Sequence, residues 1–339
     1  MFQRTHHVTS YRLLFALLVL NITGCSNDSV RSDIGAGFRE GATMTFATGS
    51  PNGIYYPFGG GLAALWSRHL DGVNMKAEVT GASLINVVQV ARGESEVGIA
   101  MADVLTSAYS GTDQFPKPLP VRALFAAYPN FVHLVALADR DIASVADLAG
   151  RRVSLGAPGS GTAIAAEKIL AGFGVALSSL DVQYLNFGGT ADALKDGTLD
   201  AAFVVGGVGI GVVKELALTR DVTLVPISAQ DVAGLGDAFA AYSSVVLPSG
   251  SYNGISEPVE TLGVWNMVVV NEAMPDALAF NLMCVLYKER AALEKIVAVA
   301  SYTTPQNATQ LAAVPLHAGA ARYLQKVAEA GVDGVSCGG

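Results

Sequence analysis

Apolar positions come in short runs along this chain, separated by polar, glycine-rich breaks. Runs of β-branched and other apolar residues predict strands over 44–47, 97–101, 123–127, 132–138, 153–156, 201–205 and 262–270. Helical segments fall between most of them, over 57–69, 83–92, 162–172 and 190–195. Each follows a loop rich in Gly, Ser, Thr or Pro, as a helix N-terminus should. Strands alternating with helices predict an α/β fold with mostly parallel sheets.

The pattern echoes itself. ARGESEVGIAM places Gly93 after a helix and before Glu96 and a strand, and KDGTLDAAFVV repeats the arrangement with Gly197 and Asp200, 104 residues later. FATGSPNG ends at Gly53 and LGAPGSG at Gly161, an offset of 108 residues. Two similar offsets suggest two similar lobes, each with a strand, a small-residue loop and a helix whose first N–H groups point outward. The common grammar of βα units produces the same echoes, so both readings stand at this point.

The chain of 339 residues with 51% hydrophobic content is long enough for two domains, each with its own core. Charged residues are only 15% and the formal charge is −8, so neither a nucleic acid nor an anionic lipid surface is the expected partner. At the N-terminus, Arg4 and Arg12 precede the apolar run 13–20, and Ile22, Thr23 and Gly24 lead to Cys25. A run this short cannot span a bilayer, which takes roughly 20 residues, and reads as an export signal over 1–25. ITGC also resembles the bacterial lipobox, which implies that Cys25 is lipidated and becomes the first mature residue. Residues 26–42 read as a flexible tether. Cleavage removes two arginines and no acid, leaving a mature charge of −10. Cys284 and Cys337 then remain, fitting either a disulfide or, for Cys284 in its apolar helical stretch, a buried thiol.

Enzyme motifs fail. No Lys follows a Gly-rich loop at P-loop spacing, GGVGIG is not G-x-G-x-x-G, and no Ser sits in a G-x-S-x-G frame. His69, His133 and His317 are widely spaced and lack the partners of a zinc site, so each reads as solvated or internally satisfied. Neither a metal nor a cofactor is expected.

Loops suited to an anion remain. In APGSGT, Gly159, Ser160, Gly161 and Thr162 follow a strand and open a helix, so N–H groups, hydroxyls and a positive helix end converge. ATGSPNGIYYP does the same earlier, with Thr48, Gly49, Ser50, Asn52 and Gly53 in the loop and Tyr55 and Tyr56 able to wall a pocket. Ordinary capped βα turns account for the Gly and Ser, though not for two adjacent tyrosines. VTGASLIN adds a third helix start with Thr80, Ser83 and Asn86. Asp103 suits either a ligand ammonium or an N-cap. Gly206 and Gly207, after the strand 201–205, complete the candidate set.

Together these stretches resemble the TAXI family, the extracytoplasmic solute receptors of tripartite ATP-independent periplasmic (TRAP) transporters. FATGSPNGIYYPFGGGLA, TGASLINVVQVARGESEVGIAMADV, PNFVHLVAL, DLAGRRVSLGAPGSGT, VETLGVWNMVVV and VPLHAGAARYLQKVAEAG carry the resemblance in order, over nearly all of 43–331. It implies a periplasmic-binding-protein fold of type II: two α/β lobes, each a mostly parallel sheet flanked by helices, with a ligand cleft between them. Lobe 1 would take 43–136 and 255–339, lobe 2 would take 137–254, and hinges would lie near 131–137 and 246–262. The implied ligands are small carboxylates or amino acids such as glutamate, glutamine or 2-oxoglutarate, and the implied partners are TRAP membrane subunits. A freely diffusing receptor is the family's usual picture, and Cys25 departs from it. The expectation is therefore a non-enzymatic, exported and lipid-anchored binding protein. A lipid-anchored sensor, or more remotely a hydrolase or transferase, is the alternative.

Overall fold

The computed structural model describes residues 43–234, 236–310 and 313–337. The signal segment, the tether and Cys25 lie outside the described residues. The first half of the fold is β1 (Thr43–Ala47), α1 (Tyr55–His69), β2 (Asn74–Glu78), α2 (Ser83–Arg92), β3 (Val97–Met101) and α3 (Ala102–Ser110). A long strand, β4 (Val121–Leu137), leads into the second half: β5 (Arg152–Ser154), α4 (Gly161–Gly172), β6 (Asp181–Gln183), α5 (Phe187–Lys195), β7 (Ala201–Gly206) and α6 (Gly211–Thr219). Next come β8 (Val222–Val225), α7 (Ala229–Gly234), β9 (Tyr242–Leu247) and the second long strand, β10 (Val259–Asn271). The chain closes with α8 (Asp276–Lys288), α9 (Arg290–Ile296) and α10 (Ala318–Ala330).

One sheet runs through the molecule in the order β2-β1-β3-β10-β4-β7-β5-β6, with β8 on β4 and β9 on β10. Each flank is a parallel triad, β2-β1-β3 and β6-β5-β7, in which the earliest strand is central. The two long strands run antiparallel to each other and to β3 and β7, tying the triads together. The periodic echo in the sequence is thus a repeat in space. Gly93 and Gly197 hold the same left-handed conformation, φ 70° and 69°, at the turn before β3 and before β7, a geometry that only glycine adopts without strain.

Three apolar clusters form the core. Trp66, Phe46, Phe58, Tyr128 and α8 belong to the first half; Leu194, Val204, Val213 and Leu247 to the second; a third runs across both, from Val87 and Leu105 to Val153 and Ile169. Trp66, fully buried, donates Nε1–H to the carbonyl of Leu282 at 2.9 Å, which fixes α1 against α8. Cys284 and Cys337 are joined by a disulfide, which decides between the two readings of those residues.

Predicted segments and observed elements differ in two ways. The runs at 123–127 and 132–138 are one continuous strand, because β4 continues through Pro129 and Asn130 opposite Trp265 and Val264. Pro129 reads as a breaker, yet the β4–β10 ladder shifts register beside it, and such irregularities tolerate a missing N–H. Four strands escape the sequence pattern, namely β2, β6, β8 and β9. They are short or lie at sheet edges, and β2 buries only Met75 below the surface threshold of its neighbours.

Candidate functional site: a cleft ringed by helix starts

A cavity of about 440 Å³ opens between the halves, inside the roughly 300–1,000 Å³ range of ligand pockets. It sits at the carboxyl ends of β1, β2, β3, β5, β6 and β7, where open α/β sheets place their ligands. Every one of those strands turns there into a helix. The N-cap residues of α1 to α6, namely Ile54, Ala82, Met101, Ser160, Asn186 and Ile210, all line the cavity. Each helix N-terminus carries roughly half a positive charge in its unbonded N–H groups, so the six together make an anion-attracting ring.

The identity of those caps sharpens the picture. Ser160 and Asn186 cap their own helices by accepting from Ala163 N at 3.1 Å and Gly189 N at 2.9 Å. Ile54, Ala82, Met101 and Ile210 offer no side-chain cap at all, where Ser, Thr, Asp or Asn would normally stand. Ala82 also holds φ 73°, a conformation that costs an alanine about 1 kcal/mol or more. Four helix starts therefore keep N–H groups that no side chain of their own cap satisfies.

The floor of the cavity is a polar network on the long strands. Tyr55 donates its hydroxyl to Asn266 Oδ1 at 2.6 Å, Asn130 Nδ2 donates to the same oxygen at 3.0 Å, and Asn266 Nδ2 donates to the carbonyl of Tyr128 at 3.0 Å. Ser83 Oγ lies 3.4 Å from the Tyr55 hydroxyl and accepts from Met101 N at 3.1 Å. Tyr128 lines the cavity too, and its buried hydroxyl has no partner. Burial raises the pKa of both tyrosines, so both phenols stay protonated donors across the physiological range. No charged side chain lines the cavity among the described residues.

The halves touch across this space. Leu84 N donates to the carbonyl of Gly159 at 3.2 Å. A Cβ on Gly161 would lie 2.5 Å from Met101 Sδ and 2.7 Å from Ser83 Oγ, and one on Gly53 would lie 3.3 Å from Phe187. Glycine at 161 is what lets α4 approach the start of α2 so closely.

Of the candidates named from sequence, Gly49, Ser50, Gly53, Tyr55, Ser83, Ser160, Gly161, Thr162 and Gly206 line the cavity. The others do not. Thr48 and Asn86 are buried struts: Asn86 Nδ2 donates to the carbonyls of Thr48 and Ile99 at 2.6 and 2.7 Å, and Thr48 Oγ1 donates to the carbonyl of Glu78. Asn52 is exposed beside Gly188, Tyr56 is partly exposed, Gly159 presents its carbonyl to Leu84, and Gly207 packs near Ile54 and Val299. Asp103 meets neither expectation. Burial raises its pKa, it accepts from the Tyr242 hydroxyl at 2.7 Å, and Lys168 Nζ lies 3.9 Å away, so it faces protein groups behind the cleft. Asn130, Tyr128, Phe187 and Ile210 line the cavity without having been singled out. Asn130 and Tyr128 sit in a strand that reads as core, and no local motif marks them.

The remaining histidines are internally satisfied. His133 is held near pKa 4 by burial, with Nδ1 at 3.1 Å from the carbonyl of Val204 and Nε2 at 2.7 Å from the Tyr252 hydroxyl. His317 caps α10, accepting from Gly319 N at 3.2 Å. Among the described residues no group of acids, histidines or cysteines is arranged to hold a metal ion, and no helix is long and apolar enough to cross a membrane.

Two α/β halves joined by crossing strands, with the cleft at the strand ends, define a periplasmic-binding-protein fold of type II. MatC from Rhodopseudomonas palustris, solved with bound malate, shares this fold at a TM-score of 0.54 and 12% identity, covering 87% of this chain and 99% of that one. A putative L-cystine ABC transporter protein from Listeria monocytogenes superposes at 0.45 with 17% identity (75% and 93% covered), and the alkanesulfonate-binding protein SsuA from Xanthomonas axonopodis at 0.43 with 14% (85% and 84%). The profile of the NMT1-like family matches residues 46–330, and the chain belongs to that family.

Proposed function

We propose that this protein is an exported solute receptor that captures a small carboxylate or amino acid between its halves and presents it to a membrane transporter of the TRAP type. The observation that carries the reading is the ring of six helix starts around an uncharged, enclosed cleft. Closing over a ligand removes water, and each charge-assisted hydrogen bond then contributes roughly 1.5–3 kcal/mol, so three or four reach about micromolar affinity after association costs. The lining holds no nucleophile paired with a base, which supports capture over catalysis. Motif order along the chain supports the TRAP assignment. Lobes 43–136 with 255–339 and 137–254 would close about 131–137 and 246–262, where β4, β9 and β10 pass between the halves.

A thermal-unfolding screen of organic acids and amino acids tests the reading. Binding to the folded state alone adds RT ln(1 + [L]/Kd), about 2.7 kcal/mol at a hundredfold excess over Kd. A melting temperature that no compound raises would overturn it. Lipidation of Cys25 would keep the receptor at the membrane, and Cys25→Ser is expected to release it as a soluble form of unmodified mass.

A further inference from the structure

The cleft has two chemically different ends. At one end Gly161, Ser83, Tyr55 and Asn130 bring together helix starts, hydroxyls and an amide, beside the unpartnered Tyr128 hydroxyl. At the other, Ile54, Phe187 and Ile210 belong to one apolar cluster of the second half and face the cavity together. Gly53 and Gly207 close that end, since a Cβ on either would press on Phe187 or Ile54, at 3.3 and 2.9 Å.

Charge limits what fits. An ammonium group brought into a ring of six helix N-termini is repelled, and it needs a carboxylate to offset that. Asp103 is the acid nearest in sequence to the cavity, yet it is outside the lining and already engaged by Tyr242 and Lys168. A second carboxylate at the far end would lie against Ile54, Phe187 and Ile210, with no cation to receive it, and burying an unpaired charge is heavily disfavoured.

Resting on the receptor reading above, we propose that the ligand is a small organic monoanion with an apolar or aromatic body and no ammonium group. The carboxylate lies at the Ser83–Gly161 end and the body against Phe187. This narrows the ligand class away from zwitterionic amino acids and dicarboxylates.

Titration calorimetry of the mature chain with four probes tests the proposal: phenylacetate, hexanoate, succinate and glutamate. Phenylacetate and hexanoate are expected to bind at least about tenfold more tightly than the other two. Tighter binding of succinate or glutamate would overturn the ligand class and leave the receptor reading standing. Silence from all four would also overturn the ligand class. If the wider acid and amino-acid screen then stayed flat, the receptor reading would fall as well. Phe187→Ala is expected to weaken phenylacetate binding about tenfold or more, with the ligand-free melting temperature unchanged. Unaltered affinity in that variant would remove the apolar body from its assigned end.

Discussion

The two halves repeat one βαβαβ plan, and they furnish the cleft differently. In the first half the polar lining side chains are wired into the protein: Tyr55 to Asn266, Ser83 to Met101, Thr80 to Asn86. In the second half Ser160 and Asn186 are spent on capping their own helices, and the rest of the wall is largely backbone and apolar surface from Ala157, Phe187, Val205 and Ile210. The first half also carries the disulfide. The second carries a buried neutral histidine. A repeated scaffold can thus divide its labour, one copy fixing donors in place and the other supplying shape and helix ends.

The largest expected effect separates the halves by their staples. The disulfide spans 53 residues, and closing a loop of that length restricts the unfolded chain by about 4 kcal/mol. Cys284→Ala with Cys337→Ala should lower unfolding free energy by about that amount in denaturant titration. Hydrogen exchange should quicken around α8 and α10 and stay slow in β5 and β7. A loss spread evenly over both halves would erase the distinction.

Acid should act on the other half. The folded pKa of His133 near 4 lies below the ordinary 6.5, so between those values the unfolded chain holds a proton that the folded chain does not. Stability therefore rises with pH through that window and falls on acidification, by about 3 kcal/mol for this group. His317 is shifted the same way in the first half. Comparing the pH profile with that of His133→Gln isolates the second half's share; identical profiles would refute it.

Gly161→Asp tests the seam between the halves. Its side chain would meet Met101 and Ser83 and hold the halves apart, so affinity for the best-binding acid should fall at least about 100-fold, roughly 2.7 kcal/mol. The ligand-free circular dichroism spectrum should not change. Near-native affinity would place the anion elsewhere.

The smallest effect concerns Asp103, which burial disfavours as an ion. Asp103→Asn keeps an acceptor for Tyr242 and leaves Lys168 with Asp113 at 3.4 Å, so stability at pH 8 should rise by about 1 kcal/mol. The gain should vanish in acid, where Asp103 is protonated. Destabilisation at pH 8 would show that its charge supports the fold.

Much of this was legible in the chain, and the reasons for the rest are physical. Strongly apolar strands such as β3 and β7, and loops such as APGSGT that hold small residues at a helix start, announce themselves through local chemistry. Edge strands such as β2 and β6 lack a buried run to reveal them. Asn86 and Thr48 were read as ligand-facing because polar residues at a helix start look alike whether they turn toward the cleft or brace the loop behind it. Tyr128, Asn130 and Asn266 reach the cleft only because β4 and β10 cross there, and a contact between residues 136 apart leaves no mark in either segment. Apolar N-caps at Ile54, Met101 and Ile210 go against capping preference, and that departure is where the function lies.

The central claim is that helix ends, without any cationic side chain, hold an anion in this cleft. Titrating phenylacetate against phenylacetamide, its uncharged counterpart of nearly equal shape, tests it most directly. Several helix starts at up to about 1 kcal/mol each, with charge-assisted hydrogen bonds, predict that the acid binds at least about 100-fold more tightly than the amide. Equal affinity for acid and amide would contradict the account.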